Sequence, residues 1–334
     1  MRKATQTSLI FLAIVALAAS ALGASYKVTN TWKLGGDGGW DYLYADSDGH
    51  RLFIARATRV MVIDTTSGKQ VGEIPDTQGV HGVALDAEIN RGFASNGKED
   101  TVSEFDLKSL AVEKKIKVGN RPDAILYDPF SKRVFTFNAG SKDTTAVDAG
   151  KGEVAGKIEL GGKPEFAATD ANGTVFVNIE DTSELVAFDP VKLAVKSRWK
   201  LTDCEEPSGL AMDRKNRRLF VGCANKKMAI VNADNGKIVA SPAIGDGCDA
   251  TAFDADWGLA FASAGDGTIT VVQADGGDKY SVAQTVTTQK GARTMAVDGK
   301  THHLFTETAN VTGTRQDRKI EPNSFVVIVA EGSR

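Results

Sequence analysis

Residues 121–162 read RPDAILYDPFSKRVFTFNAGSKDTTAVDAGKGEVAGKIELGG, and this stretch decides the fold. It divides into four short runs of strand-forming residues. Residues 124–128 are apolar and run into Asp128-Pro129. Residues 133–138 alternate about Phe135, residues 144–148 are short and β-rich, and residues 153–160 alternate again. The intervening DPFSK, AGSKD and AGKG are turn chemistry, in which Gly supplies positive φ and Asp or Ser bonds its own backbone. Four short strands joined by tight turns predict one antiparallel sheet.

The same unit recurs along the chain. The Asp closing the first strand appears at Asp46, Asp86, Asp128, Asp170, Asp213, Asp254 and Asp298, at spacings of 40, 42, 42, 43, 41 and 44 residues. The second-strand aromatic follows at Phe53, Phe93, Phe135, Phe176, Phe220, Phe261 and Phe305. Two independent markers in one seven-fold phase, with four strands per unit, predict an all-β, seven-bladed β-propeller. The blades run over residues 39–78, 79–120, 121–162, 163–206, 207–247, 248–290 and 291–334. The last unit offers only three strands of its own, and residues 26–34 form an unclaimed fourth. These predict that the N-terminal strand completes the last blade and closes the ring, removing open sheet edges. The repeated Asp is read as a turn-former.

Residues 1–24 read as a secretory signal peptide, with Arg2 and Lys3 before an apolar run at 9–19 and small residues at Ala19, Ala21, Gly23 and Ala24. The propeller domain is then 25–334, periplasmic or secreted, with no later stretch apolar enough to span a membrane. Losing Arg2 and Lys3 takes the net charge from −3 to about −5, a balance that does not suit nucleic acid. A monomer is expected. One unit departs from the pattern: its second- and third-strand markers, Phe305 and Val329, lie 24 residues apart, against 11 for Phe53 and Asp64. The insertion, residues 309–323, carries Arg315, Arg318 and Lys319. It reads equally as a solvated crossover and as a functional loop.

Five residues before each repeated Asp stand Asp41, His81, Asp123, Glu165, Ser208, Asp249 and Arg293. In a propeller these entry positions ring one mouth of the central channel, and a polar, acidic ring over an apolar core is a candidate ligand site. Arg121 and Lys163 stand close by. Asn96, Asn138 and Glu180 reach the same face, and carboxylates with Asn carbonyls suit a hard cation such as Ca²⁺. No cofactor motif appears: there is no Cys-x-x-Cys, haem-attachment or nucleophile-elbow sequence. His302-His303 reads as an exposed turn pair at the opposite end, and His81 alone does not build a transition-metal site. Of the three cysteines, Cys204 and Cys248 lie in equivalent entry loops of adjacent blades and are the first expected disulfide. Cys204 with Cys223 is the rival pairing.

Val60-Met61-Val62-Ile63-Asp64-Thr65 with Gly68-Lys69, the junctions Val118-Gly119-Asn120-Arg121-Pro122 and Leu160-Gly161-Gly162-Lys163-Pro164, and Arg91-Gly92-Phe93-Ala94-Ser95-Asn96 resemble the YVTN-repeat β-propeller family. The Tyr-Val-Thr-Asn tetrapeptide itself is absent, and the fifth and seventh units drift from the pattern. The resemblance implies an exported bacterial propeller. Some related propellers act on lactones or bind DNA. The expected function is a non-catalytic scaffold binding a small polar molecule, a peptide or a protein at the channel mouth. The alternative is a lactonase-type hydrolase in which a divalent ion polarises the carbonyl and Asp249 or Glu165 acts as base.

Overall fold

A computed structural model of the chain describes residues 24–313, 317 and 319–334. The expected signal peptide falls almost wholly outside the described residues, as do Arg315 and Arg318. Seven four-stranded antiparallel sheets form the blades. The innermost strands are Leu43–Asp46, Val80–Asp86, Pro122–Asp128, Pro164–Thr169, Leu210–Asp213, Cys248–Asp254 and Met295–Val297. The third blade, Pro122–Asp128, Arg133–Asn138, Asp143–Asp148 and Glu153–Glu159, follows the reading of residues 121–162 strand by strand.

Both sequence markers have clear structural roles. The seven second-strand phenylalanines are at most 2% exposed, because that strand is covered on both faces by neighbouring blades. Phe53 packs on Phe105, with ring centroids 6.2 Å apart, and Phe135 on Phe188 at 5.3 Å, each crossing to the next blade. The closing Asp caps the following turn in six blades. Asp46 Oδ1 accepts from Gly49 N, Asp128 from Ser131 N, Asp170 from Thr174 N, Asp213 from Asn216 N, Asp254 from Trp257 N and Asp298 from Lys300 N. The second blade differs. Its turn is a single 3-10 turn, Ala87–Ile89, and Asp86 makes no side-chain cap.

The ring closes as expected. Ser25–Lys33 pairs antiparallel with Val326–Ser333, from Ser25↔Ser333 to Lys33↔Val326, and is the outer strand of the last blade. The insertion in that blade carries a two-stranded ladder, Val311–Thr312 against Lys319–Ile320. No helix among the described residues is long and apolar enough to cross a membrane.

The expected Cys204–Cys248 disulfide is not formed. Cys204 bonds Cys223 (Cα–Cα 5.1 Å), and Cys248 is a free, buried thiol. Cys223 ends its blade's second strand beneath the entry loop that holds Cys204, within disulfide reach. Cys248 starts the next innermost strand with its sulfur against Gly222, where even a Cβ would stand 2.6 Å from Sγ. Breaking the bond with Cys204→Ser and Cys223→Ser frees a loop of 19 residues. The expected cost is about 2 kcal/mol in denaturant unfolding. The same loss on reducing the wild type, with Cys248→Ser unaffected, confirms the pairing.

Candidate functional site

In three blades a side chain of the second strand holds the backbone of the next blade's entry loop. Ser95 Oγ donates to Asp123 O (2.6 Å), Asn178 Nδ2 to Ser208 O (2.9 Å), and Ser263 Oγ to Arg293 O. Tyr42 N donates to His81 O (3.0 Å), linking the first two entries. Four of the seven entry residues, His81, Asp123, Ser208 and Arg293, thereby have their backbone tied to a neighbouring blade.

Their side chains fall into two groups around one mouth. His81 Nδ1 shares a hydrogen bond with Asp41 Oδ2 and stands 3.5 Å from Asp123 Oδ1, which also accepts from Tyr42 OH at 3.1 Å. Glu165, 7% exposed, is bridged by Lys163 Nζ (2.6 Å), which also grips Glu180. On the other side, Ser208 Oγ donates to Asp249 Oδ1 (2.9 Å) and Arg293 Nε to Asp249 Oδ2 (3.0 Å). The groups feel one another, since the charges of Asp249 and Arg293 both act on Asp41.

Burial dominates the electrostatics. It pushes Asp41 above the usual carboxylate range, and His81 only partly offsets it. Burial and the neighbouring Asp41 likewise raise Asp123. Burial, and then the Asp123 charge, lifts Glu165 to about 8 against the pull of Lys163. Burial opposes protonation of His81, but the bond to Asp41 and the fields of Asp123 and Glu165 win, raising it to about 9. Burial raises the carboxyls first, and the negative charge gathered around His81, more than the local cations neutralise, raises the imidazole.

Beneath the ring, the channel is plugged. Tyr42 and Phe166, from the first and fourth blades, meet across it edge-to-face with centroids 4.4 Å apart. The residue after each ring residue is Tyr42, Gly82, Ala124, Phe166, Gly209, Ala250 or Thr294. Two large aromatics thus meet where five small residues leave room, and a Cβ on Gly82 would lie 3.1 Å from the Tyr42 ring. Sequence reasoning missed this plug, although the pattern was legible. Below it, at the opposite mouth, lies a cavity of about 930 Å³ whose lining includes Tyr44, Tyr127, Met212, Phe253 and Trp257.

Other expected residues sit elsewhere. Asn96 and Asn138 are buried, and each donates its amide within its own blade, to Ser103 (2.8 Å) and to Asp143 (2.6 Å). Arg121 is exposed, and its backbone N–H bonds Asp100. His302 is no exposed turn residue. It bonds Asp254 (2.7 Å) and stacks on Trp257 at 4.1 Å, tying the last two blades at the far end.

Two buried charges were also unforeseen. Glu307 occupies the second-strand position equivalent to Ser95, Asn178 and Ser263, so it faces the first blade's entry at Asp41. It is fully buried, its Oε2 has no partner among the described residues, and burial and the Asp41 charge hold it well above the carboxylate range. Arg56, also fully buried, lies over Phe325 (3.6 Å) and donates to the carbonyls of Gly36 and Asp37.

No protein-family model matches the chain, and no curated protein does. Among solved structures, a chain of Kuenenia stuttgartiensis hydrazine synthase is similar to it, with a TM-score of 0.52 at 17% identity, covering 72% of this chain and 97% of that one. At that identity the likeness speaks for the fold alone: this chain is a seven-bladed β-propeller.

Proposed function

We propose that the propeller is an exported binding protein of YVTN-like repeat type that takes a small cationic ligand at the carboxylate-rich channel mouth. The observation that carries this reading is the crowding of Asp41, Asp123, Glu165 and Asp249 around one opening. Three of the four, Asp41, Asp123 and Glu165, are pushed toward protonation. A bound cation relieves that crowding, and its interactions strengthen in a partly desolvated site. The Tyr42–Phe166 plug gives the site a floor, so the ligand is a small molecule or a protruding charged side chain rather than a threaded chain. The leader expected of residues 1–24 and the cysteine pair support export.

The test is calorimetric titration with a diamine series. Wild type is expected to bind, and the double variant Asp41→Asn/Asp249→Asn to lose at least about tenfold in affinity, roughly 1.4 kcal/mol. Equal affinity in the double variant, with its fold intact by circular dichroism, would remove the site assignment.

A further inference from the structure

The first three ring residues have a chemistry that the rest of the ring lacks. Asp41, His81 and Asp123 each offer one donor atom, and the three donors lie within 4.8 Å of one another. They come from three successive blades, whose sheets fix their spacing. His81 Nδ1 is the nitrogen that faces both carboxylates. The other edge of the imidazole lies against Gly97, where a Cβ would stand 2.7 Å from Nε2, so the ring has little freedom to turn away. The His81 Nδ1–Asp123 Oδ1 separation of 3.5 Å is close to the edge of a tetrahedron with metal–ligand bonds of about 2.0–2.1 Å.

We infer that Asp41, His81 and Asp123 form a binding site for a divalent transition-metal ion of borderline softness, of the Zn²⁺ or Co²⁺ class. This inference rests on the reading of the mouth as a cation site and names the cation. One imidazole nitrogen with two carboxylate oxygens selects against Ca²⁺ and Mg²⁺, which prefer all-oxygen shells. Charge balance agrees: two carboxylates and a neutral imidazole neutralise a dication. Glu307 points the same way independently. It is a fully buried carboxylate with an unpartnered oxygen, set at the blade position that faces Asp41. Its equivalents in three other blades donate a hydrogen bond to the next entry loop, whereas Glu307 Oε2 bonds nothing among the described residues. Arg56 is the cation that already acts on Glu307, and an ion on Asp41 adds a second from the side of the mouth. Three protein ligands leave at least one coordination position for water or a ligand oxygen.

Co²⁺ titrated into chelator-stripped full-length protein tests the site through its visible ligand-field bands, with Zn²⁺ as competitor. The expected result is one Co²⁺ per chain, displaced by Zn²⁺. Binding should weaken at least about 100-fold in His81→Gln and in Asp123→Asn, and stay unchanged in His50→Ala. Thermal melts of each variant separate lost binding from lost fold, and two different ligand variants keep the test open should one not fold. Absence of Co²⁺ and Zn²⁺ binding to folded wild type, or full binding by His81→Gln, overturns the inference. Diamine binding without metal binding overturns the metal and leaves the cationic-ligand reading standing; loss of both removes both.

Discussion

Tyr26→Ala is expected to destabilise the propeller by about 4 kcal/mol, the range for deleting a buried aromatic. Tyr26 lies in the outer strand of the last blade and is 2% exposed. Its ring meets Phe261 at 5.1 Å and Trp257 at 5.8 Å, both edge-on and both in the sixth blade. Gln284 of that blade clasps the Tyr26 backbone, accepting from its N–H (2.8 Å) and donating to its carbonyl (2.6 Å). The first strand of the chain therefore holds the seam between the last two blades as well as completing its own sheet. Tyr26→Phe should be neutral or slightly stabilising, because the Tyr26 hydroxyl is buried with no partner among the described residues. Val28→Ala, at an exposed position of the same strand, should shift stability by less than about 0.5 kcal/mol. Denaturant unfolding of the three variants measures this. A cost below about 1 kcal/mol for Tyr26→Ala would mean that the ring does not depend on this clasp.

The architecture was readable because it is written seven times. Asp128 and Phe135 alone say little; the same pair repeated in phase from Asp46 to Phe305 leaves one architecture, and the missing fourth strand of the last unit points to residues 26–34. The ring from Asp41 to Arg293 was readable for the same reason, since a fixed offset from a repeated marker lands on equivalent positions. What the repeat does not encode is the relation between non-equivalent positions. Cys204, in the loop before the fifth innermost strand, bonds Cys223 at the end of the second strand that follows, and not Cys248. His81 reads as lone in the sequence because its partners are 40 and 42 residues away, on other blades. Glu307 reads as one more charge until its place in the blade shows that Ser or Asn does the corresponding work elsewhere. Only the Tyr42–Phe166 plug was both legible and missed.

The crowding at the mouth makes the fold's stability pH-dependent, with a definite sign. For Glu165 the folded state holds its proton up to about 8, against an ordinary value of 4.5. The folded state then binds more protons than the unfolded chain, so stability falls as pH rises from 4.5 through 8. For His81, raised from 6.5 to about 9, the contribution is fully present below 6.5 and is lost as pH rises through 9. Asp41, Asp123 and Glu307 are all raised and act in the same direction. The carboxylates held low, such as Asp64 and Asp100, act only in acid, below the ordinary Asp value. The side chain of His81 is about one-third exposed, so solvent screening discounts its share. Together, Glu165 and His81 should cost on the order of 4 kcal/mol between pH 5 and pH 9 in chelator-treated protein. Glu165→Gln should flatten the lower half of that slope and His81→Gln the upper half. Unfolding free energies measured across the range decide the matter: a flat or rising profile above pH 5 would mean that the carboxylates at the mouth ionise freely, and the electrostatic case for a cation site would go with them.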